Sequence, residues 1–256
     1  MSETVSCTLA DGVALVTLSL PEKRNALVPE LAVPLIATLE ALQGDAACRS
    51  ILLAGDGRAF CAGGDLSGLD GDDPMRMLAT MRDLHRIIRA LAAGRKATVA
   101  AVDGAAFGAG LSIALACDIV IAGPAARFCA AFGRVGLIPD LGLLWTLPQR
   151  LGAGAAREFM MLCEVLDAGQ AHAAGLVDHI SPDGALALAK EKARRLASAA
   201  PEAIALTKTA LARGPQGLNP LLDFEAQAQA LLLTGADYAR ARTAFLTKAP
   251  APFLTV

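Results

Sequence analysis

Apolar and polar positions change their rhythm along this chain. Val5–Leu9 and Val13–Leu20 read as two strands turned at Asp11-Gly12. Val28–Leu42 carries apolar residues at helical spacing and stops near Gly44. Ile51–Ala54 and Val99–Val102 are short unbroken apolar runs, the pattern of strands buried on both faces. Between them Met75–Leu91 predicts a helix, with Arg76, Arg82, Asp83, Arg86 and Arg89 on its polar side. From Leu141 onward only Val177–Ile180 resembles a strand, and Ala185–Ala199, Glu202–Leu211, Pro220–Leu233 and Asp237–Leu246 read as helices. The pattern predicts an α/β core over residues 1–200 followed by a helical region over 201–256, rather than two independent domains.

One segment repeats. Asp56-Gly-Arg-Ala-Phe-Cys-Ala-Gly63 recurs 47 residues later as Asp103-Gly-Ala-Ala-Phe-Gly-Ala-Gly110, with six of eight positions identical, each copy after a short apolar run. A repeat of this period is the mark of one supersecondary unit stacked on itself. Small residues at a strand end leave backbone N–H groups bare, and two such loops side by side could aim donors at one point. The alternative is that the glycines only allow tight strand-to-helix packing.

Composition narrows the function. With 23 basic and 25 acidic residues the chain has a net charge of -2, so it lacks the basic field that holds phosphate backbones. Aromatic residues make up 4%, too few for base-stacking platforms. The 54% hydrophobic content supplies a large core. The longest uncharged stretch, Gly104–Cys117, has 14 residues with three glycines and is too short and broken for a bilayer span. No signal-peptide pattern opens the chain, and the six cysteines stand at least 12 residues apart, so buried reduced thiols in the cytoplasm are expected. Gly108-Ala109-Gly110 lacks the third glycine and the later acid of a dinucleotide fingerprint. There is no nucleophile elbow or P-loop lysine, and His85, His172 and His179 read as structural.

At the two glycine-rich loops the chain resembles the crotonase, or enoyl-CoA hydratase/isomerase, superfamily. The resemblance runs through Pro21-Glu-Lys-Arg-Asn-Ala-Leu27, Ala59-Phe-Cys-Ala-Gly-Gly-Asp-Leu66, Val102–Gly110, Ala114-Leu-Ala-Cys-Asp118, Gly136-Leu-Ile-Pro-Asp140 and Ala174-Gly-Leu-Val177. It implies a spiral of ββα units with a C-terminal helical trimerisation region, assembled as a homotrimer or homohexamer. It further implies an acyl-CoA thioester substrate polarised into an enolate, with no metal, no separate cofactor, no nucleic acid and no membrane partner. By motif position the N–H groups of Gly64 and Ala109 would form an oxyanion hole. Ala62, Asp65 and Leu66 would receive the adenine end of CoA, and Lys23, Arg24 and Lys248 its phosphates.

The departures from the family pattern bear on the reaction. Hydratases of this family use two glutamates, whose places hold Ser112 and Phe132, expected to line the substrate site. Water addition needs a group to activate water and a proton donor, which neither residue supplies. Asp140 coincides with the acid of family members that shift double bonds, hydrolyse a hydroxyacyl-CoA thioester or dehalogenate an aryl-CoA. It could instead cap a helix opening at Leu141. The dehalogenases place a tryptophan where Phe132 stands, whereas this chain's single Trp is Trp145. The Ser112, Phe132 and Asp140 combination resembles the ring-epoxide isomerase of phenylacetate degradation. An acyl-CoA isomerase with one aspartate as proton shuttle is the leading expectation. A hydratase and a non-catalytic CoA-thioester- or RNA-binding scaffold are the alternatives.

Overall fold

The computed structural model describes residues 4–65, 73–214, 217–249 and 253. In chain order the elements are β1 (Val5–Ala10), β2 (Val13–Leu18), α1 (Pro29–Gly44), β3 (Ser50–Gly55), β4 (Ala59–Cys61), α2 (Pro74–Ala92), β5 (Ala97–Val102), β6 (Ala105–Phe107), α3 (Ala109–Leu115), β7 (Ile119–Ala122) and β8 (Arg127–Cys129). Then follow α4 (Leu143–Leu162), β9 (Leu166–Asp167), α5 (Ala168–Ala173), β10 (His179–Ile180), α6 (Ala185–Ala197), α7 (Pro201–Ala212), α8 (Leu218–Leu233) and α9 (Ala236–Leu246). Short 3-10 turns stand at Pro21–Lys23 and Ala131–Val135.

The strands form two sheets, a six-stranded one ordered β1-β2-β3-β5-β7-β10 and a four-stranded one ordered β4-β6-β8-β9. Strands β2, β3, β5, β7 and β10 run parallel, with β1 antiparallel at the edge. In the smaller sheet β4, β6 and β8 are parallel and β9 closes it antiparallel. Three successive turns of chain (β3-β4-α2, β5-β6-α3, β7-β8-α4) each place one strand in the large sheet, the next in the small sheet, and return by a helix. The sequence repeat is this unit. Ser50 pairs with Ala97 and Ala54 with Ala101, so the 47-residue offset of the repeat is also the register between β3 and β5.

The unbroken apolar runs have two faces to bury. Ile51, Leu53, Ala100 and Val102 enter the main core with α1, α2 and α3, while Leu52, Ala54, Val99 and Ala101 pack against α6. Helix α6 meets the sheet with Ala185, Ala189, Ala193 and Ala197, one small residue per turn, which lets its backbone lie close. The expected strand at Val177–Ile180 shrinks to His179–Ile180, since Leu176 and Val177 are drawn into the core at the end of α5. The helix expected from Leu141 begins at Leu143, because Leu141 and Gly142 both take left-handed backbone angles and Gly142 occupies the cap position. No described helix is long and apolar enough to cross a membrane.

Candidate active site

The two repeated loops meet where the small sheet ends. Gly108 stands at the cap of α3 with φ 50 and ψ -119, a conformation open to glycine alone, and it turns the chain from β6 straight into the helix. A Cβ on Gly110 would overlap the Cys61 carbonyl, so α3 lies directly on β4. A Cβ on Gly108 would stand 4.0 Å from Gly63 Cα, which measures how near the loops approach. The first loop is held from below by Asn25, fully buried: its Oδ1 accepts from Leu20 N, and its Nδ2 donates to Asp56 O at 2.9 Å and Ala59 O at 2.8 Å. Leu27 N donates to Gly63 O, and Leu27 bridges Gly64 in parallel register.

Among the described residues these contacts leave the N–H groups of Gly64 and Ala109 without protein acceptors. Ala109 is the first residue of α3, so its N–H has no partner in its own helix. Among the described residues neither Ala109 N nor Gly64 N donates a hydrogen bond. Both residues line a cavity of about 760 Å³, bounded by Lys23, Leu27, Val28, Ala62, Asp65 and the N-terminal half of α1 on one side. Met77, Thr80, Met81 and Leu84 of α2, with Phe132, Leu137, Asp140 and Leu141, form the other.

Asp140 sits on this wall with its Oδ1 sealed from solvent and without a hydrogen-bond partner. Burial pushes its carboxyl up to about 6, against a smaller opposing pull from its own backbone N–H. Its side chain caps no helix, which corrects the capping alternative. An acid left unpaired in an apolar wall is poised to exchange a proton near neutrality. By contrast, burial pushes the thiols of Cys61 and Cys117 to about 11 and about 12, too high for either to act as a nucleophile.

The residues singled out by motif fall into three groups. Gly64, Ala109, Asp140, Phe132, Ala62, Lys23 and Asp65 all line the cavity, with Lys23 Nζ 3.8 Å from Asp65 Oδ2. Ser112, Arg24 and Lys248 do not line it. Ser112 is fully buried, and its Oγ donates to Asp140 O at 3.0 Å, with Gly108 O at 3.3 Å as a second acceptor. Its expected role as a substrate-lining residue is therefore corrected: the hydroxyl faces the protein. Arg24 takes a left-handed conformation that aims its carbonyl at Ala62 N, 3.0 Å away. Lys248 follows α9 on the exposed surface of the chain. Leu66 lies outside the described residues. The motifs did not single out Leu27, Val28 and Leu141 as cavity walls; each reads as ordinary core until the fold turns it toward the cavity.

Residues 8–255 match the enoyl-CoA hydratase/isomerase family. The chain belongs to that family. It is 36% identical to 1,2-epoxyphenylacetyl-CoA isomerase of Escherichia coli (strain K12), over 97% of both chains. It is 35% identical to 2,3-dehydroadipyl-CoA hydratase of the same organism, over 92% of both. Among solved structures, an enoyl-CoA hydratase/isomerase from Cupriavidus metallidurans CH34 superposes with a TM-score of 0.91 at 34% identity, covering 99% of this chain and 97% of its own. The paired sheets and C-terminal helices are thus the crotonase fold.

Proposed function

We propose that this family member is an acyl-CoA isomerase in which Asp140 shuttles a proton beneath an oxyanion hole formed by the Gly64 and Ala109 N–H groups. The observation that carries this reading is the unpartnered Asp140 carboxyl. It is the cavity's apolar-wall acid, whereas Glu30 and Asp83 are exposed and Asp65 faces Lys23. In a β,γ-unsaturated thioester, Asp140 carboxylate takes the α-proton and the electron pair moves onto the thioester oxygen. The two N–H groups hold that charge in place without reorganising. The protonated acid then returns the same proton to the γ-carbon, and the double bond ends conjugated with the carbonyl. No water enters the balance, which fits Phe132 and Ser112 at the places of the hydratase glutamates. Lys23 at the cavity mouth is the candidate for CoA phosphates, the chain works as a homotrimer or homohexamer in the cytoplasm, and coenzyme A arrives as part of the substrate.

Hydration is the second reading, favoured by the 35% identity to a dehydroadipyl-CoA hydratase. A mass-spectrometric screen of β,γ-enoyl and ring-derived acyl-CoA thioesters in heavy water separates the two. Deuterium at the α- or γ-carbon without a mass gain of water, lost in Asp140→Asn, is the expected result. Net water addition as the main product would replace isomerisation with hydration.

A further inference from the structure

A proton shuttle works only if the Asp140 carboxyl is held in a fixed orientation. Among the described residues no side chain or backbone group of another residue is bonded to its carboxyl, and Oδ1 has no partner at all. A carboxyl without external partners can be aimed only through its main chain. That main chain is unusual. Leu141, 1% exposed, adopts φ 47, a left-handed angle that is strained for a side-chain-bearing residue and persists only where the surroundings impose it. Gly142 follows at φ 75.

Helix α3 contacts this main chain directly. Ser112 Oγ–H reaches Asp140 O at 3.0 Å, and Leu143 N reaches the same oxygen at 3.0 Å. Ser112 also engages Gly108 O, through its N–H at 3.0 Å and with its Oγ at 3.3 Å. The Gly108 carbonyl and the Ala109 N–H belong to one peptide group. Ser112 therefore touches both the peptide that presents the oxyanion donor and the peptide that carries the acid. It is fully buried, so water does not compete for its hydroxyl.

We propose that Ser112 is the positioning residue of this site, its hydroxyl holding the Asp140 carbonyl while its N–H holds the Gly108 carbonyl, so that the Asp140 carboxyl is fixed relative to the Ala109 N–H. This rests on Asp140 acting as the proton shuttle. The oxyanion donor and the acid must address neighbouring atoms of one thioester, and small misplacements of such groups lower the rate by up to about 100-fold. In place of an acid that does chemistry, this chain has a hydroxyl that holds one.

The test compares Ser112→Ala, Ser112→Thr, Ser112→Cys, Asp140→Asn and the Ser112→Ala/Asp140→Asn double variant. Each is measured in deuterium exchange of 3-hexenoyl-CoA in heavy water across pH 4–9. Ser112→Ala is expected to lose about 10- to 100-fold in kcat with KM within about twofold. Its acid limb should move from near pH 6 toward the ordinary carboxylate range, as the loosened carboxyl turns to solvent. Ser112→Thr, which keeps the hydroxyl, should restore both, and the double variant should be no slower than Asp140→Asn. Ser112→Cys, nearly the same volume with a weak donor, should lie between and serves if the alanine variant does not fold. Wild-type kcat and acid limb in Ser112→Ala or Ser112→Cys, with Asp140→Asn inactive, would overturn the positioning role alone. Full exchange by Asp140→Asn would overturn the shuttle reading beneath it.

Discussion

Lys208 Nζ lies 2.5 Å from Asp118 Oδ2, and the same ammonium donates to Leu91 O at 2.8 Å. The lysine side chain is 6% exposed. Asp118 follows α3, Leu91 lies in the last turn of α2, and Lys208 belongs to α7, so one buried cation ties the C-terminal helices to two turns of the spiral. Asp118 also accepts from Thr98 N and Oγ1 on β5. Removing the ammonium leaves a half-buried carboxylate with neutral donors only. Lys208→Ala is expected to cost about 2–3 kcal/mol in denaturant melts, with KM for the thioester unchanged because Lys208 does not line the cavity. A loss below about 0.5 kcal/mol would show the pair to be replaceable by solvent.

Ala109 occupies the first position of α3, where proline's missing N–H removes no bond of the helix. Ala109→Pro should therefore fold and assemble while lacking one proposed oxyanion donor. The expected effect is a fall of about 10²- to 10³-fold in turnover with a melting temperature near wild type. Undiminished turnover by the folded variant would contradict the assignment of Ala109 N–H.

Helix α8 has no buried residue, yet Leu218, Leu221, Leu222, Leu231 and Leu233 are 37–70% exposed along it. Phe245 and Leu246 of α9 add to this apolar surface. Leucines left open over four turns of helix are the composition of an interface between copies. Light scattering at micromolar concentration should give three or six times 26.2 kDa. A 26.2 kDa species would remove the proposed assembly.

How much of this was legible in the sequence depends on the range of the forces involved. The 47-residue repeat was readable because each copy carries its own turn and small-residue code, and the register of β3 on β5 reproduces it. The strands of the small sheet were not. β4, β6 and β8 have three residues each, too short to show a period of two, and they exist through pairing with one another. Asp140 was readable as an acid in a motif, but an Asp before an apolar run also reads as a cap; the left-handed Leu141-Gly142 turn decides against the cap and has no sequence signal beyond one glycine. Ser112 shows as a missing glutamate, while the direction of its hydroxyl follows from tertiary packing of α3 on the Asp140 segment.

Hydration of crotonyl-CoA should be slow, since Ser112 is engaged with backbone carbonyls and Phe132 has no proton to give. A wild-type hydration turnover above about 10² s⁻¹, the range of a good enzyme, would favour the second reading over the first. Ser112→Glu with Phe132→Glu would bring two carboxyls beside Asp140 in a dry site, and a loss of stability is expected before any gain of hydration.

The pH dependence of Asp140 gives the sharpest test, because its sign differs for activity and stability. Burial raises its carboxyl to about 6 from the ordinary 3.8. A base must start ionised, so exchange should rise with pH, reach half its plateau near pH 6, and stay flat above it. Folding runs the other way. The folded state binds this proton more tightly than the unfolded chain, so between about pH 4 and 6 rising pH removes stability, and above the folded value the full cost of burying the charge is present. Asp140→Asn keeps the shape and cannot ionise. It should melt above wild type at pH 8, match it near pH 4, and exchange about 10²- to 10⁴-fold more slowly throughout. The capping role would produce neither result, because a cap acts on its ionised form and Asp140→Asn would then be stability-neutral or worse at pH 8. A variant that is slower yet never melts higher would mean that the carboxyl acts as the base without being buried in its charged form.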